Sequence, residues 1–249
     1  MPHSYGPHRH QFCELSLPEK SDSRPGTGGA FPVAALLHGG FWRERYCLDL
    51  MDALAADLRV RGWAVWNVEY RRLGESGGGV PQTIDDVAVA IDALADCDAP
   101  LDLKRVVAIG HSAGGHLALW AAGRTDARVP LAAAVGQAAV SDLQTAFRMR
   151  LSGGVVEEFA GGTPDEVPEN YDAACPLLRL PSGVPQLLVH GEADDIVPAD
   201  LSRGFVAAAR AAGDHATLVL RSSDGHFEHI EPGSVAWAAV IQWLAPWAP

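Results

Sequence analysis

A serine set between small residues is the first group in this chain with a chemistry to offer. Gly110-His111-Ser112-Ala113-Gly114-Gly115 has the form G-x-S-x-G, directly after the apolar run Val106 to Ile109 and directly before a helical pattern, Ala113 to Ala122. A serine on so sharp a strand-to-helix turn has a strained backbone that pushes its hydroxyl clear of the sheet. That hydroxyl is a weak nucleophile at neutral pH, so it needs a base to take its proton and a group to orient the base. Two later loops can supply them. His190-Gly191-Glu192-Ala193-Asp194-Asp195-Ile196-Val197-Pro198 follows the apolar stretch Gln186 to Val189 and brings acids, and Asp224-Gly225-His226-Phe227 follows Ala216 to Leu220 and brings a histidine. A third loop, His38-Gly39-Gly40-Phe41-Trp42, follows Val33 to Leu37, and its glycines let backbone N–H groups come close to a developing oxyanion. Each residue alone is an ordinary turn residue. Together, in this order and after these strands, they describe acyl transfer.

The elements that must position them alternate. Strands are expected at Gln11 to Leu17, Val33 to Leu37, Ala64 to Val68, Val106 to Ile109, Leu131 to Val135, Gln186 to Val189 and Ala216 to Leu220. Helices are expected at Leu48 to Arg61, Thr83 to Ala95, Ala113 to Ala122, Ala199 to Ala212 and Ser234 to Leu244. Strands that alternate with helices are joined by right-handed crossovers, so the fold class is α/β: a mostly parallel central sheet with helices on both faces. Ser21 to Gly29 reads as a surface loop. Residues Ser141 to Val184 interrupt the alternation with Pro, Gly and the acidic pair Glu157-Glu158, and read as a small lid-like excursion on a single domain covering 1–249.

Composition narrows the partners. With 249 residues, 48% hydrophobic and 20% charged, the chain can bury roughly three-quarters of its unfolded surface and needs no disulfide or metal to hold a core. Nineteen Lys and Arg against 31 Asp and Glu give a net charge of −12, which argues against nucleic acid and membrane as partners and leaves a small-molecule substrate. Cys13, Cys47, Cys97 and Cys175 form no CxxC pair, so they read as free thiols. The start, Met1 to His10, carries no apolar stretch after a basic one, and no later segment approaches the ~20 apolar residues of a membrane span, so the expected location is cytoplasmic.

These residues resemble the α/β-hydrolase superfamily from about Gln11 to the C-terminus. The resemblance aligns Ser112 with the nucleophile and His226 with the base. Gly191, Asp194, Val197 and Pro198 match the family's G-x-x-D-x-x-V-P motif, which selects Asp194 over Asp195 as the acid. His111, His215 and His229 fall outside the base position, and the ring of His111 is expected beside the nucleophile turn with no catalytic role. By likeness to the HGGG loop of lipases and esterases, the backbone amides of Gly40, Phe41 and Ala113 form the oxyanion hole. Phe41 departs from that pattern and, with Trp42, is expected to wall the substrate pocket, with core packing as the competing reading. Within the superfamily, H-G-G-aromatic-W together with Tyr5-Gly6, Gln11 and His226-Phe227 is most similar to the kynurenine formamidase (arylformamidase) group and its esterase relatives. Arginine in the segment Val68-Glu69-Tyr70-Arg71-Arg72 is expected to be a structural ion-pair residue.

The resemblance implies hydrolysis of a carboxylic ester or a small activated amide without a cofactor. A short acyl group and an aromatic leaving group are expected, an aryl formamide such as N-formylkynurenine included. Three rivals stand beside it. A peptidase of the prolyl-oligopeptidase type uses the same triad, but no propeller precedes the core in these 249 residues. A catalytically inert binding module on the same fold conflicts with the complete set of site residues. A metal site at His3, His8 and His10 lacks carboxylate or cysteine partners nearby in a terminus expected to be mobile, so no metal is expected.

Overall fold

Five stretches with nearly every side chain apolar can only be satisfied between two layers of helix, and that is the arrangement of the chain. The computed structural model describes residues 2–18 and 29–249. Its strands are β1 (Pro2–Ser4), β2 (Phe12–Ser16), β3 (Phe31–Leu37), β4 (Ala64–Val68), β5 (Leu101–His111), β6 (Ala133–Gln137), β7 (Gln186–Gly191) and β8 (Ala216–Arg221). They form one sheet in the order β1-β2-β4-β3-β5-β6-β7-β8. The β1–β2 and β2–β4 pairs at one edge are antiparallel and the remaining pairs are parallel.

The helices are α1 (Asp52–Val60), α2 (Gln82–Asp92), α3 (Ala113–Ala122), α4 (Leu143–Arg148), α5 (Val155–Ala160), α6 (Pro168–Ala174), α7 (Asp200–Ala211) and α8 (Val235–Trp243). Alternation along the central strands divides them between two layers. Val33, Ala35 and Leu37 of β3 and Val106 and Ala108 of β5 join a core with α2 and α3. Ala34, Leu36, Val107 and Ile109 point the other way, into a core with Leu54 and Leu58 of α1 and Trp237 and Val240 of α8. Helix α7 covers β7 through Phe205, Val206 and Ala209 around Leu188.

Most of the expected elements are present, with shifted ends. β5 extends back to Leu101 because it also pairs with Phe31 and Pro32, past a register shift between Pro32 and Val33. The amino terminus, expected to be mobile, is an edge strand: Pro2, His3 and Ser4 pair with Glu14, Cys13 and Phe12. Of the loop expected at 21–29, residues 21–28 lie outside the described residues. Segment 141–184 holds three helices of six, six and seven residues, too short for a clear period. Their Leu143, Ala146, Val155, Val156, Phe159, Tyr171 and Ala174 join the core that contains α2 and α3. Among the described residues, no helix is long and apolar enough to cross a membrane.

Candidate active site

The parallel strands all end on one side of the sheet, and the chemistry-bearing loops leave from those ends. Register makes the alignment concrete: Leu37 lies opposite Gly110, His111 opposite Gln137, and Gly191 opposite Arg221. Ser112 stands between β5 and α3 at φ 57° and ψ −117°, a strained conformation for a residue with a Cβ. Close packing imposes it. A Cβ at Gly114 would lie 2.0 Å from the Leu37 carbonyl oxygen, so α3 sits hard against the end of β3. The Ser112 N–H donates to the Gln137 carbonyl at 2.8 Å, and the Ser112 carbonyl accepts from His116 N at 3.0 Å. Ala113 is the first residue of α3, where a helix leaves its N–H groups without intrahelical partners and carries partial positive charge.

The 38–42 loop crosses directly over this turn. A Cβ at Gly39 would fall 2.9 Å from the His111 carbonyl oxygen and 3.2 Å from Ser112 Cβ, which leaves room only for glycine. Gly40, Phe41 and Trp42 then adopt positive φ in succession, at 106°, 52° and 55°. Such a run persists in non-glycine residues only when its surroundings hold it. From above, Trp42 stacks on Phe159 of α5 at 4.1 Å and meets His116 edge-on at 5.1 Å, while Arg43 pairs with Glu158 at 3.2 Å. Trp42 has no exposed surface. Of the two readings of this residue, core packing is therefore the one the geometry fits, and the side chain expected to wall the pocket braces the loop instead. Phe41 is half-buried.

From below, the loop is held by a buried charge. Glu69 Oε1 lies 3.1 Å from His38 Nε2 and 2.8 Å from Arg72, and Oε2 accepts from Leu48 N at 3.1 Å. Tyr70 donates its hydroxyl to the His38 carbonyl at 2.7 Å and stacks on the His38 ring at 4.3 Å. Burial opposes the charge on Glu69, but the hydrogen bond and charge of His38, the charge of Arg72 and the Tyr70 N–H outweigh it and hold the carboxyl below its ordinary value. Both arginines of the 68–72 segment are thus ion-pair residues, Arg72 with Glu69 and Arg71 with Asp86 at 2.7 Å. Glu69→Gln leaves Arg72 buried without its partner, a change that typically costs about 3–5 kcal/mol. A urea titration should show that loss at neutral pH. Because the folded carboxyl titrates lower than the unfolded one, the wild type loses this contribution as pH falls below the ordinary carboxylate range. The variant should show a shallower decline there.

Acid and base meet between β7 and β8. A Cβ at Gly191 would lie 2.0 Å from the Asp224 carbonyl oxygen, and Ala193 N donates to that oxygen at 3.1 Å, so the two loops run in contact. Asp194 Oδ1 accepts from Ile196 N and Val197 N, both at 2.9 Å, and Oδ2 accepts from His226 Nδ1 at 2.7 Å. That bond leaves Nε2 of His226 free to take a proton. Burial works against the Asp194 charge, yet the donors His190, His226 and Val197 N hold its carboxyl far below the usual range. Asp195 is exposed. His111 joins this pair to the nucleophile turn: its Nε2 lies 2.8 Å from the His226 carbonyl oxygen and the two rings are 4.6 Å apart. Burial first, and the neighbouring His226, push the His111 pKa down to about 3, so the ring is a neutral Nε2–H donor.

Two further residues at the site are given no role by sequence reasoning, although Phe227 belongs to the His226-Phe227 pair that carries part of the resemblance. His190 ends an apolar strand and lies 3.3 Å from Asp194 Oδ2. Phe227 is 57% exposed with its ring 5.2 Å from that of His226. His3, His8 and His10 do not converge: the His3 ring lies tilted against Trp66 at 5.3 Å, and the His8 and His10 rings adjoin each other at 5.2 Å. Among the described residues, no group of three or more His, Cys, Asp or Glu side chains is arranged to hold a metal ion.

Known proteins resemble this chain in sequence or in fold. Esterase LipC of Mycobacterium tuberculosis is 29% identical over 215 residues, which cover 79% of this chain and 51% of that protein. The chain spans about half the length of the curated relatives it matches. A truncated carbohydrate esterase from gut microbiota superposes with a TM-score of 0.82 at 18% identity, covering 99% of this chain and 94% of the other. The butyrate-bound thermophilic esterase Est2 of Thermogutta terrifontis does so at 0.76 and 20% identity, covering 99% and 92%. These likenesses bear on the fold, which is that of α/β-hydrolase esterases. Residues 45–247 match the prolyl oligopeptidase family, and with the nucleophile turn, the sheet order and the loops after β3, β7 and β8 in place, this chain belongs to that family.

Proposed function

We propose that this chain is a serine esterase that hydrolyses short-acyl carboxylic esters through an acyl-enzyme. The observation that carries the reading is the Asp194–His226 pair, at 2.7 Å, held onto the Ser112 turn through His111. His226 Nε2 takes the Ser112 proton as Oγ attacks the carbonyl carbon. The N–H groups of Gly40, Phe41 and Ala113 receive the oxyanion. His226 then returns the proton to the leaving alcohol, and water repeats the sequence on the acyl-enzyme. Asp194 holds the His226 tautomer and stabilises the imidazolium.

Esterases among the relatives favour an ester over a peptide bond. The leaving group meets His226, and Phe227 offers it an exposed ring there, with half-buried Phe41 on the oxyanion loop. Both favour a flat leaving group, and an aryl formamide belongs to the same proposal. Segment 141–184, braced on Trp42 through Phe159, serves as the wall or lid of the acyl side. The net charge of −12 favours a small-molecule substrate over nucleic acid or membrane. All four cysteines are free, in keeping with a cytoplasmic setting.

A panel of p-nitrophenyl esters of rising chain length, an aryl formamide and a glycyl-prolyl anilide tests this. Acetyl and butyryl esters should give the highest kcat/KM, with changes per added methylene on the order of 1–3 kcal/mol. Values that climb steadily to long chains would point to a lipase-like channel. Preference for the glycyl-prolyl anilide would favour the peptidase activity for which the family is named.

A further inference from the structure

Asp194 faces two imidazoles rather than one. His190, in β7, is fully buried. Its Nε2 lies 2.8 Å from the Val197 carbonyl oxygen and 3.3 Å from Asp194 Oδ2, and its Nδ1 lies 2.7 Å from the hydroxyl of Ser202 on α7. A carbonyl oxygen only accepts, so Nε2 carries the hydrogen and Nδ1 receives that of Ser202. Ser202 is also fully buried. The Val197 carbonyl therefore fixes the tautomer, and a hydroxyl from a separate helix holds the ring so that its Nε2–H stands beside the acid.

We propose that His190, locked by Ser202, is a positioning residue that shares the Asp194 carboxylate with His226 and so sets the basicity of the catalytic imidazole. The inference rests on the triad reading above. Oδ1 is taken by the Ile196 and Val197 amides, so Oδ2 lies between two rings and can swing toward neither. Charge given to the His190 N–H is withdrawn from the bond to His226. Without His190 the carboxylate would concentrate on His226 Nδ1–H, stabilise the imidazolium further and keep the base protonated to higher pH. Other titratable groups face the cluster. The His229 ring lies 6.3 Å from His190, and the His111 ring lies 4.6 Å from His226. Burial, then neighbouring histidines, push His229 down to about 4 and, with His226, His111 to about 3, so neither adds charge near neutrality. Asp224 pairs with Arg221 at 3.5 Å on the adjoining loop.

The test is the pH profile of kcat/KM on p-nitrophenyl acetate, with the rate of fluorophosphonate labelling at Ser112, for wild type, His190→Leu, His190→Gln and Ser202→Ala. His190→Leu should move the acidic limb up by about 0.5–1 pH unit and lower kcat about 10-fold, with KM little changed. Ser202→Ala leaves the ring and its Nε2–H on the Val197 carbonyl but removes the hydrogen bond to Nδ1 that polarises that N–H, so it should shift the limb the same way by about half as much. His190→Gln restores an N–H donor and should return the limb toward the wild-type position. Should His190→Leu fail to fold, the Ser202→Ala and His190→Gln profiles decide the matter. An unmoved limb in Ser202→Ala, or a Gln variant shifted as far as Leu, would overturn the proposal while the wild type still labels at Ser112. A wild type that neither labels there nor shows an acidic limb would overturn the triad reading as well.

Discussion

Ser112→Ala should reduce turnover of p-nitrophenyl acetate to background while the protein melts as the wild type does. Removing a triad serine typically lowers kcat on the order of 10⁶-fold, because the remaining base has no nucleophile to activate. The fold should survive, because what shapes the turn is not the hydroxyl. The bonds Ser112 N to Gln137 O and His116 N to Ser112 O are backbone bonds that alanine keeps, and the contact of Gly114 with the end of β3 is untouched. Alanine occupies the same positive φ as serine, with no larger side chain to accommodate. Steady-state kinetics beside a thermal melt decides it. Turnover near the wild-type value in a folded Ser112→Ala protein would remove the catalytic reading entirely.

Asp194→Asn should lower kcat by about 10⁴-fold, and Asp195→Asn should be nearly silent. An asparagine at 194 can keep its oxygen on the Ile196 and Val197 amides, but its NH₂ group then faces His226 Nδ1, where the wild type has an acceptor at 2.7 Å. The imidazole must present a lone pair to that donor, which moves its hydrogen to Nε2 and removes the base. His190, whose Nε2–H stands 3.3 Å from the same oxygen, faces the same NH₂ group. Asp195 is exposed and outside this arrangement. Kinetics of the two variants separate the assignments, and a larger loss at Asp195 would show the register to be wrong by one residue.

How far the sequence carries depends on how local each signal is. Helix α3 is read to the residue, because an apolar strand, a small-residue turn and an apolar helix follow one another within seventeen residues, and nothing distant alters them. The choice of Asp194 over Asp195 is also local, since the two backbone bonds from Ile196 and Val197 are the physical content of its spacing. Trp42 shows the limit. An aromatic after two glycines reads equally as pocket wall or as core, and the partner that decides, Phe159, lies more than a hundred residues away in a helix of only six. Glu69 and His190 share that difficulty. Their meaning lies in His38 and Arg72, or in Ser202 and Asp194, and a buried polar residue on an apolar strand does not announce its partners. The edge strand at Pro2–Ser4 was illegible because three residues carry no period.

The most direct test of the central claim is where an organophosphorus probe lands. Residues 106–124 lie between Arg105 and Arg124, so trypsin releases them as one peptide, and Ser112 is its only Ser, Thr, Tyr or Cys. After treatment with a fluorophosphonate, mass spectrometry of the digest should find the adduct on this peptide, formed faster above the acidic limb than below it and absent from Ser112→Ala. An enzyme that hydrolyses esters but leaves this peptide unmodified, or carries the adduct on another peptide, would contradict the assignment of Ser112 as the nucleophile.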